Sequence, residues 1–282
     1  MITASRLPFF DWCTSKELMV KVSDRVSLKV FAFIPVNLKG NFPFVIVSGL
    51  ATMIDSFLII IGGLSKFHPV YYVETRDKTS SVIQDETDYS IQAMGMDVSE
   101  VIEILKFKDK EYYLLGYSLG SAVIADAYRH MKSKPRRVIF MEPTAEFNYP
   151  GWSLFVIRHL GTSIYSVLKR IAKWYLLRFV IDKKQDRQMM VISFNSLDHA
   201  DPVKLKNTIL SVAGYSIWDR ITEVRCPSLI VGTTKDGLHN DDHLKRMLNL
   251  LEKGTYIDLE TNERTHNEDM VDVITRFISS MQ

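Results

Sequence analysis

The sequence predicts an α/β fold, a mostly parallel sheet of about eight strands with an inserted helical lid. Three observations predict it. Short apolar runs of strand length alternate with longer stretches of helical periodicity, the pattern of strands joined by crossover helices. One of these runs ends in Gly116-Tyr117-Ser118-Leu119-Gly120 and passes straight into a small-residue helix. The alternation then breaks between residue 151 and about 222, a stretch too long for a simple crossover.

Taken in order, residues 16–22 and 26–35 read as an antiparallel hairpin, and 44–47 as the first strand of the alternating part. Asp55 is placed to cap the helix that follows. A strand at 70–74, a helix across 88–105, a strand at 112–115 and another at 137–141 continue the rhythm. Residues 151–222 read as several helices, which divides the chain into a core of 1–150 and 223–282 and a lid of 151–222. Beyond the lid, strands at 227–231 and 255–259 bracket the loop Thr233-Thr234-Lys235-Asp236-Gly237-Leu238. The last helix opens at Thr265-His266-Asn267-Glu268-Asp269, with Asn267 as its cap and two acids in its first turn, where the helix dipole favours negative charge. There is no internal repeat and no low-complexity segment.

The pentapeptide around Ser118 is a nucleophile elbow. A serine on so sharp a strand-to-helix turn needs minimal side chains two positions before and after it, and Gly116 and Gly120 meet that need. The turn also puts the Leu119 N–H at a helix N-terminus, where it can donate to a developing oxyanion. A serine hydroxyl is a weak nucleophile at neutral pH and requires a base. His266 is assigned that job, because it alone among the histidines follows the last strand at the start of the terminal helix. Asp236, just past the preceding strand, would hold the imidazole tautomer and stabilise the imidazolium. Glu142, directly after the strand at 137–141, is a rival for the carboxylate.

The chain order Ser118, Asp236, His266, each after its own strand, together with the elbow, resembles the α/β-hydrolase superfamily over nearly the whole chain. The resemblance implies a Ser-His-Asp triad working through an acyl-enzyme. Phe44-Val45-Ile46-Val47-Ser48-Gly49-Leu50 resembles the family's third strand and oxyanion loop, usually written His-Gly-x, and it implies the Leu50 N–H as second oxyanion donor. Ser48 stands where the histidine usually is, which removes a side chain that often braces the loop. A serine at the elbow disfavours the dehalogenase and epoxide-opening relatives, which use aspartate there. Residues 48–57 are similar to the oxyanion loop of the acyl-carrier-protein thioesterases of bacterial luminescence systems in their Ser-Gly, Ala, Asp and Phe positions. The elbow departs from theirs in having glycine on both sides. That likeness points to fatty thioesters carried on an acyl carrier protein or coenzyme A.

Composition bounds the alternatives. The chain has 282 residues, 46% hydrophobic and 24% charged, with net charge +2, which gives no global reason to expect nucleic-acid binding, since that needs a concentrated basic surface. The start of the chain carries no apolar core of signal-peptide length, and the two cysteines make no disulfide framework, so a cytoplasmic protein is expected. The most apolar stretch, 152–181, is interrupted by Arg158, Lys169, Arg170, Lys173 and Arg178 and does not read as a membrane span. Between Arg158 and Arg187 eight basic residues face two acidic ones. This part of the lid is either a helical hairpin closing on the core or a greasy, basic-edged tunnel for an acyl chain. His239, Asp241, Asp242 and His243 lack an evident further ligand, so no metal is expected, nor any other cofactor. Besides hydrolysis, the same acyl-enzyme could serve an acyltransferase, and a retired hydrolase could survive as a small-ligand binder.

Overall fold

The computed structural model describes residues 10–38, 40–84, 87–159, 161, 165, 169–170, 173–174, 194–235 and 241–280. Within them, nine strands make one sheet: β1 (Cys13–Lys21), β2 (Val26–Pro35), β3 (Phe44–Val47), β4 (Val70–Val73), β5 (Val82–Ile83), β6 (Tyr113–Tyr117), β7 (Arg137–Met141), β8 (Ser228–Gly232) and β9 (Gly254–Asp258). The spatial order is β1-β2-β4-β3-β6-β7-β8-β9, with β5 paired to β2 off that path. From β4 through β9 the pairs are parallel, while β2 is antiparallel to β1, β4 and β5.

The named helices are α1 (Leu58–Leu64), α2 (Ile91–Ile104), α3 (Leu119–His130), α4 (Gly151–His159), α5 (Pro202–Val212), α6 (Trp218–Ile221), α7 (Asp241–Leu250), α8 (Asn262–Thr265) and α9 (Glu268–Ser279). Successive side chains of a strand face opposite sides of the sheet, so a sheet covered on both faces needs apolar residues at every position. Here Val45, Leu114, Phe140 and Ile230 pack with α2 and α3 on one face. Ile46, Leu115, Ile139 and Val231 pack with α1 and α9 on the other. Each fully buried aliphatic side chain contributes roughly 1.5–3 kcal/mol relative to exposure. This is what lets the chain hold strained turns at the strand ends.

The element boundaries move by a few residues from the sequence expectation, for local reasons. The 70–74 strand stops at Val73, because Glu74 opens a polar loop. The helix expected from 88 starts at Ile91: the Ser90 hydroxyl accepts the Ala93 N–H at 3.2 Å, while the Asp88 carboxylate accepts the Ser90 N–H one step outside. Asp55 is not a cap. It sits inside a 3-10 turn, Ile54–Phe57, whose N-cap position is Met53 and has no side-chain cap. Asn267 does cap α9, accepting the Asp269 N–H at 2.8 Å. The two-residue β5 is too short to leave a periodic signal. Cys13 and Cys226 are free thiols.

Between 151 and 222 the described residues carry α4, a helical stretch at 194–199, α5 and α6. Much of the segment that holds the basic and apolar run, including 175–193, lies outside the described residues. No helix among the described residues is long and apolar enough to cross a membrane.

Candidate active site

Ser118 occupies the junction of β6 and α3 with φ 50° and ψ −113°, a conformation that L-residues rarely adopt and that tends to persist at functional sites. Close approach explains the glycines on either side. A Cβ on Gly116 would lie 2.6 Å from the Gly120 carbonyl oxygen, and one on Gly120 would lie 2.7 Å from the Ser48 carbonyl oxygen and nearer still to that of Val47. The α3 N-terminus therefore rests directly on the β3 end. Two contacts tie the serine into the strand edge, its N–H donating to the Met141 carbonyl at 3.0 Å and its Oγ lying 3.3 Å from Thr144 Oγ1, and the residue stays partly exposed.

The 48–51 segment packs on the elbow. A Cβ on Gly49 would lie 2.9 Å from the Tyr117 ring, so this glycine too is fixed by close approach. Ala51 follows with φ 52°. Neither the Leu50 N–H nor the Leu119 N–H has an acceptor among the described residues. Both amides are thus open to an external acceptor, and the Leu119 N–H, one residue past Ser118, lies at the start of α3.

His266 is 5% exposed, and its ring meets Tyr117 edge-on at 5.0 Å between centroids and Phe57 at 5.6 Å. The imidazole is therefore on the elbow's flank, against the residue next to Ser118, although no hydrogen bond joins it to Ser118. Nδ1 is 3.0 Å from the Asn262 carbonyl oxygen and 3.1 Å from Thr265 Oγ1. A carbonyl can only accept, so Nδ1 carries the proton and the Nε2 lone pair is left to act as a base. Burial drives the His266 pKa down to about 4, the Asn262 carbonyl opposing only in part, and the ring is neutral at pH 7.

That shift has a consequence for stability. The folded pKa of about 4 lies below the ordinary histidine value, so between those limits the unfolded chain binds more protons than the folded one and stability falls as the pH drops. Denaturant unfolding at pH 7 and pH 4 is expected to show the wild type losing about 3 kcal/mol more than a His266→Phe variant over that interval.

Behind the imidazole lies Glu142, buried, at the end of β7, with φ 45°. Its Oε2 accepts from Asn262 Nδ2 at 2.6 Å and its Oε1 accepts from the Thr265 hydroxyl. The two residues that touch His266 Nδ1 thus also hold the Glu142 carboxylate. The Tyr117 hydroxyl, its pKa raised by burial first and by the Glu142 charge second, belongs to the same network. The expected acid, Asp236, lies outside the described residues, as do Gly237, Leu238 and His239. Thr144, Asn262 and Thr265 are polar partners that no periodicity or motif in the sequence marks. Among the described residues no group of His, Cys, Asp and Glu is arranged to hold a metal ion.

No protein-family model matches the chain, and comparison with curated proteins returns no match. Solved structures do resemble it. An esterase from Thermogutta terrifontis superposes with a TM-score of 0.74 at 13% identity, covering 95% of this chain and 98% of that one. A hydrolase from Oleispira antarctica gives 0.73 at 15% identity over 92% and 96% of the two chains. An enol-lactonase from Burkholderia xenovorans gives 0.71 at 16% identity over 89% and 97%.

Proposed function

The chain has the α/β-hydrolase fold, and on that premise we propose that it is a cytoplasmic serine hydrolase cleaving a carboxylic ester or acyl thioester with a hydrophobic acyl group. One observation carries the reading. Ser118 is held at a strained turn between two glycines that admit no side chain, and the amide of the next residue, Leu119, has no acceptor among the described residues.

In this mechanism Ser118 Oγ attacks the substrate carbonyl while His266 Nε2 takes its proton. The Leu50 and Leu119 N–H groups hold the oxygen that becomes negative, and loss of one such donor typically costs about 10²–10³ in turnover. Collapse expels the alcohol or thiol, which receives the proton from His266, and leaves an acyl-enzyme on Ser118. Water activated by the same imidazole then releases the acid. Asp236 is the carboxylate proposed to steady the imidazolium. A second reading gives that part to Glu142, since Thr265 and Asn262 join its carboxylate to the immediate surroundings of Nδ1.

The acyl group is assigned as hydrophobic because the sequence between 151 and 222, proposed to form a lid, carries apolar residues in excess of a narrow helical stripe, and an acyl carrier protein or coenzyme A is the proposed carrier. Turnover of nitrophenyl esters and acyl-coenzyme A substrates from acetyl to palmitoyl tests this. The expected result is a chain-length optimum that vanishes in Ser118→Ala. A flat series removes the tunnel, and turnover that survives Ser118→Ala removes the mechanism.

A further inference from the structure

The oxyanion loop lacks the histidine that braces it in the relatives the sequence resembles, and the Ser48 hydroxyl turns to the Val73 carbonyl at 3.4 Å and the Tyr72 side chain. Bracing comes from the loop after β4. Lys78 is 5% exposed, and its ammonium spends all three protons inside the protein: on the Gly49 carbonyl at 2.7 Å, on Asp77 Oδ2 at 2.7 Å and on Thr75 Oγ1 at 3.1 Å. Asp77, its side chain wholly buried, accepts the Ala51 N–H at 2.7 Å and the Thr75 hydroxyl at 2.5 Å. The peptide groups on both sides of Leu50 are thereby held by one buried ion pair.

The covalent geometry gives the contact with Gly49 a direct chemical meaning. The Gly49 carbonyl and the Leu50 N–H belong to one planar trans peptide, so they point in opposite directions. Fixing the carbonyl on Lys78 aims the N–H away from it. A cation on the carbonyl oxygen also polarises the peptide, which makes that N–H a stronger donor. We propose that the Asp77–Lys78 pair is the positioning device of the oxyanion hole, aiming and polarising the Leu50 N–H in place of the absent histidine. The proposal rests on the hydrolase reading above and adds to it two residues that touch no substrate.

The loop carrying the pair is itself anchored to α5 and to the helical stretch at 194–199. Lys204 of α5 donates to the Lys78 carbonyl at 2.8 Å and to the Ser81 carbonyl at 2.7 Å, and the Thr79 hydroxyl donates to the His199 carbonyl at 2.5 Å. A shift of α5 would therefore be felt at the Gly49–Leu50 peptide through two successive lysine contacts.

The test uses the full chain with Lys78→Met, Asp77→Asn and the double variant, read with a nitrophenyl ester, a boronic acid as tetrahedral mimic, and thermal unfolding. Each single variant leaves a buried charge without its partner and is expected to melt early. The double variant removes both charges, so its melting temperature should recover most of the loss. Its kcat should nevertheless stay about 10²-fold below wild type, with KM changed less than about threefold and boronate affinity reduced in step with kcat. Recovery of kcat along with stability, or a loss confined to KM, overturns the positioning role. If wild-type Ser118 fails to react with a fluorophosphonate, the hydrolase reading falls and takes the clamp with it. Reaction in wild type at a rate the double variant matches sinks the clamp alone.

Discussion

Ser118→Ala, His266→Ala and the double variant are expected to fall to one common floor of ester turnover, on the order of 10⁴–10⁶-fold below wild type. Nucleophile and base act as a unit: without the imidazole the hydroxyl keeps its proton, and without the hydroxyl the imidazole has nothing to activate, so the second deletion adds little. The carboxylate is expected to cost less, because the base survives its loss with poorer orientation. Asp236→Asn and Glu142→Gln, measured beside these, divide the two readings of the acid. A drop of about 10²-fold or more is expected for the true partner, and the other variant should show mainly the stability cost of a disturbed network. Steady-state kinetics on refolded protein of matched circular dichroism makes the comparison. Additive losses for Ser118 and His266 would mean that the two side chains do not cooperate.

The second large effect is on folding. Gly120→Val is expected to destabilise the protein by at least about 3 kcal/mol, close to the limit at which it no longer accumulates folded. The cause is backbone, not side-chain, crowding: any Cβ at this position enters the space of the Val47 and Ser48 carbonyl oxygens, neither of which can swing aside without moving the β3 end. Gly151→Ala is the control, because a Cβ there meets nothing within 4 Å and should shift the denaturation midpoint little. Equal midpoints for the two variants would contradict the close packing of α3 on β3.

The same contacts explain how much could be read from the chain. β3, β6, β7 and β8 were legible because a sheet covered on both faces demands uninterrupted apolar residues, and the glycines at 116 and 120 were legible because only glycine fits where backbones touch. The place of His266 after the last strand accounts for its ring lying against Tyr117, next to Ser118. What sequence patterning does not carry is the pairing of buried polar side chains. The run Thr75-Arg76-Asp77-Lys78 carries no motif, yet its charges are buried and paired: Asp77 with Lys78 and the Ala51 N–H, and Arg76 with Asp97 of α2. Likewise Thr265 and Asn262 show no motif, because their importance lies in which oxygen each faces after folding. Asp55 misled for the opposite reason: an acid ahead of an apolar stretch looks like a cap, but a 3-10 turn begins before it.

Reaction with a fluorophosphonate, mapped by peptide mass spectrometry, reads whether the hydroxyl of Ser118 is an activated nucleophile. Stoichiometric modification of Ser118 is expected in the wild type, with near-complete loss in folded His266→Ala. An unmodified Ser118, or modification that proceeds equally fast without the imidazole, would contradict that activation.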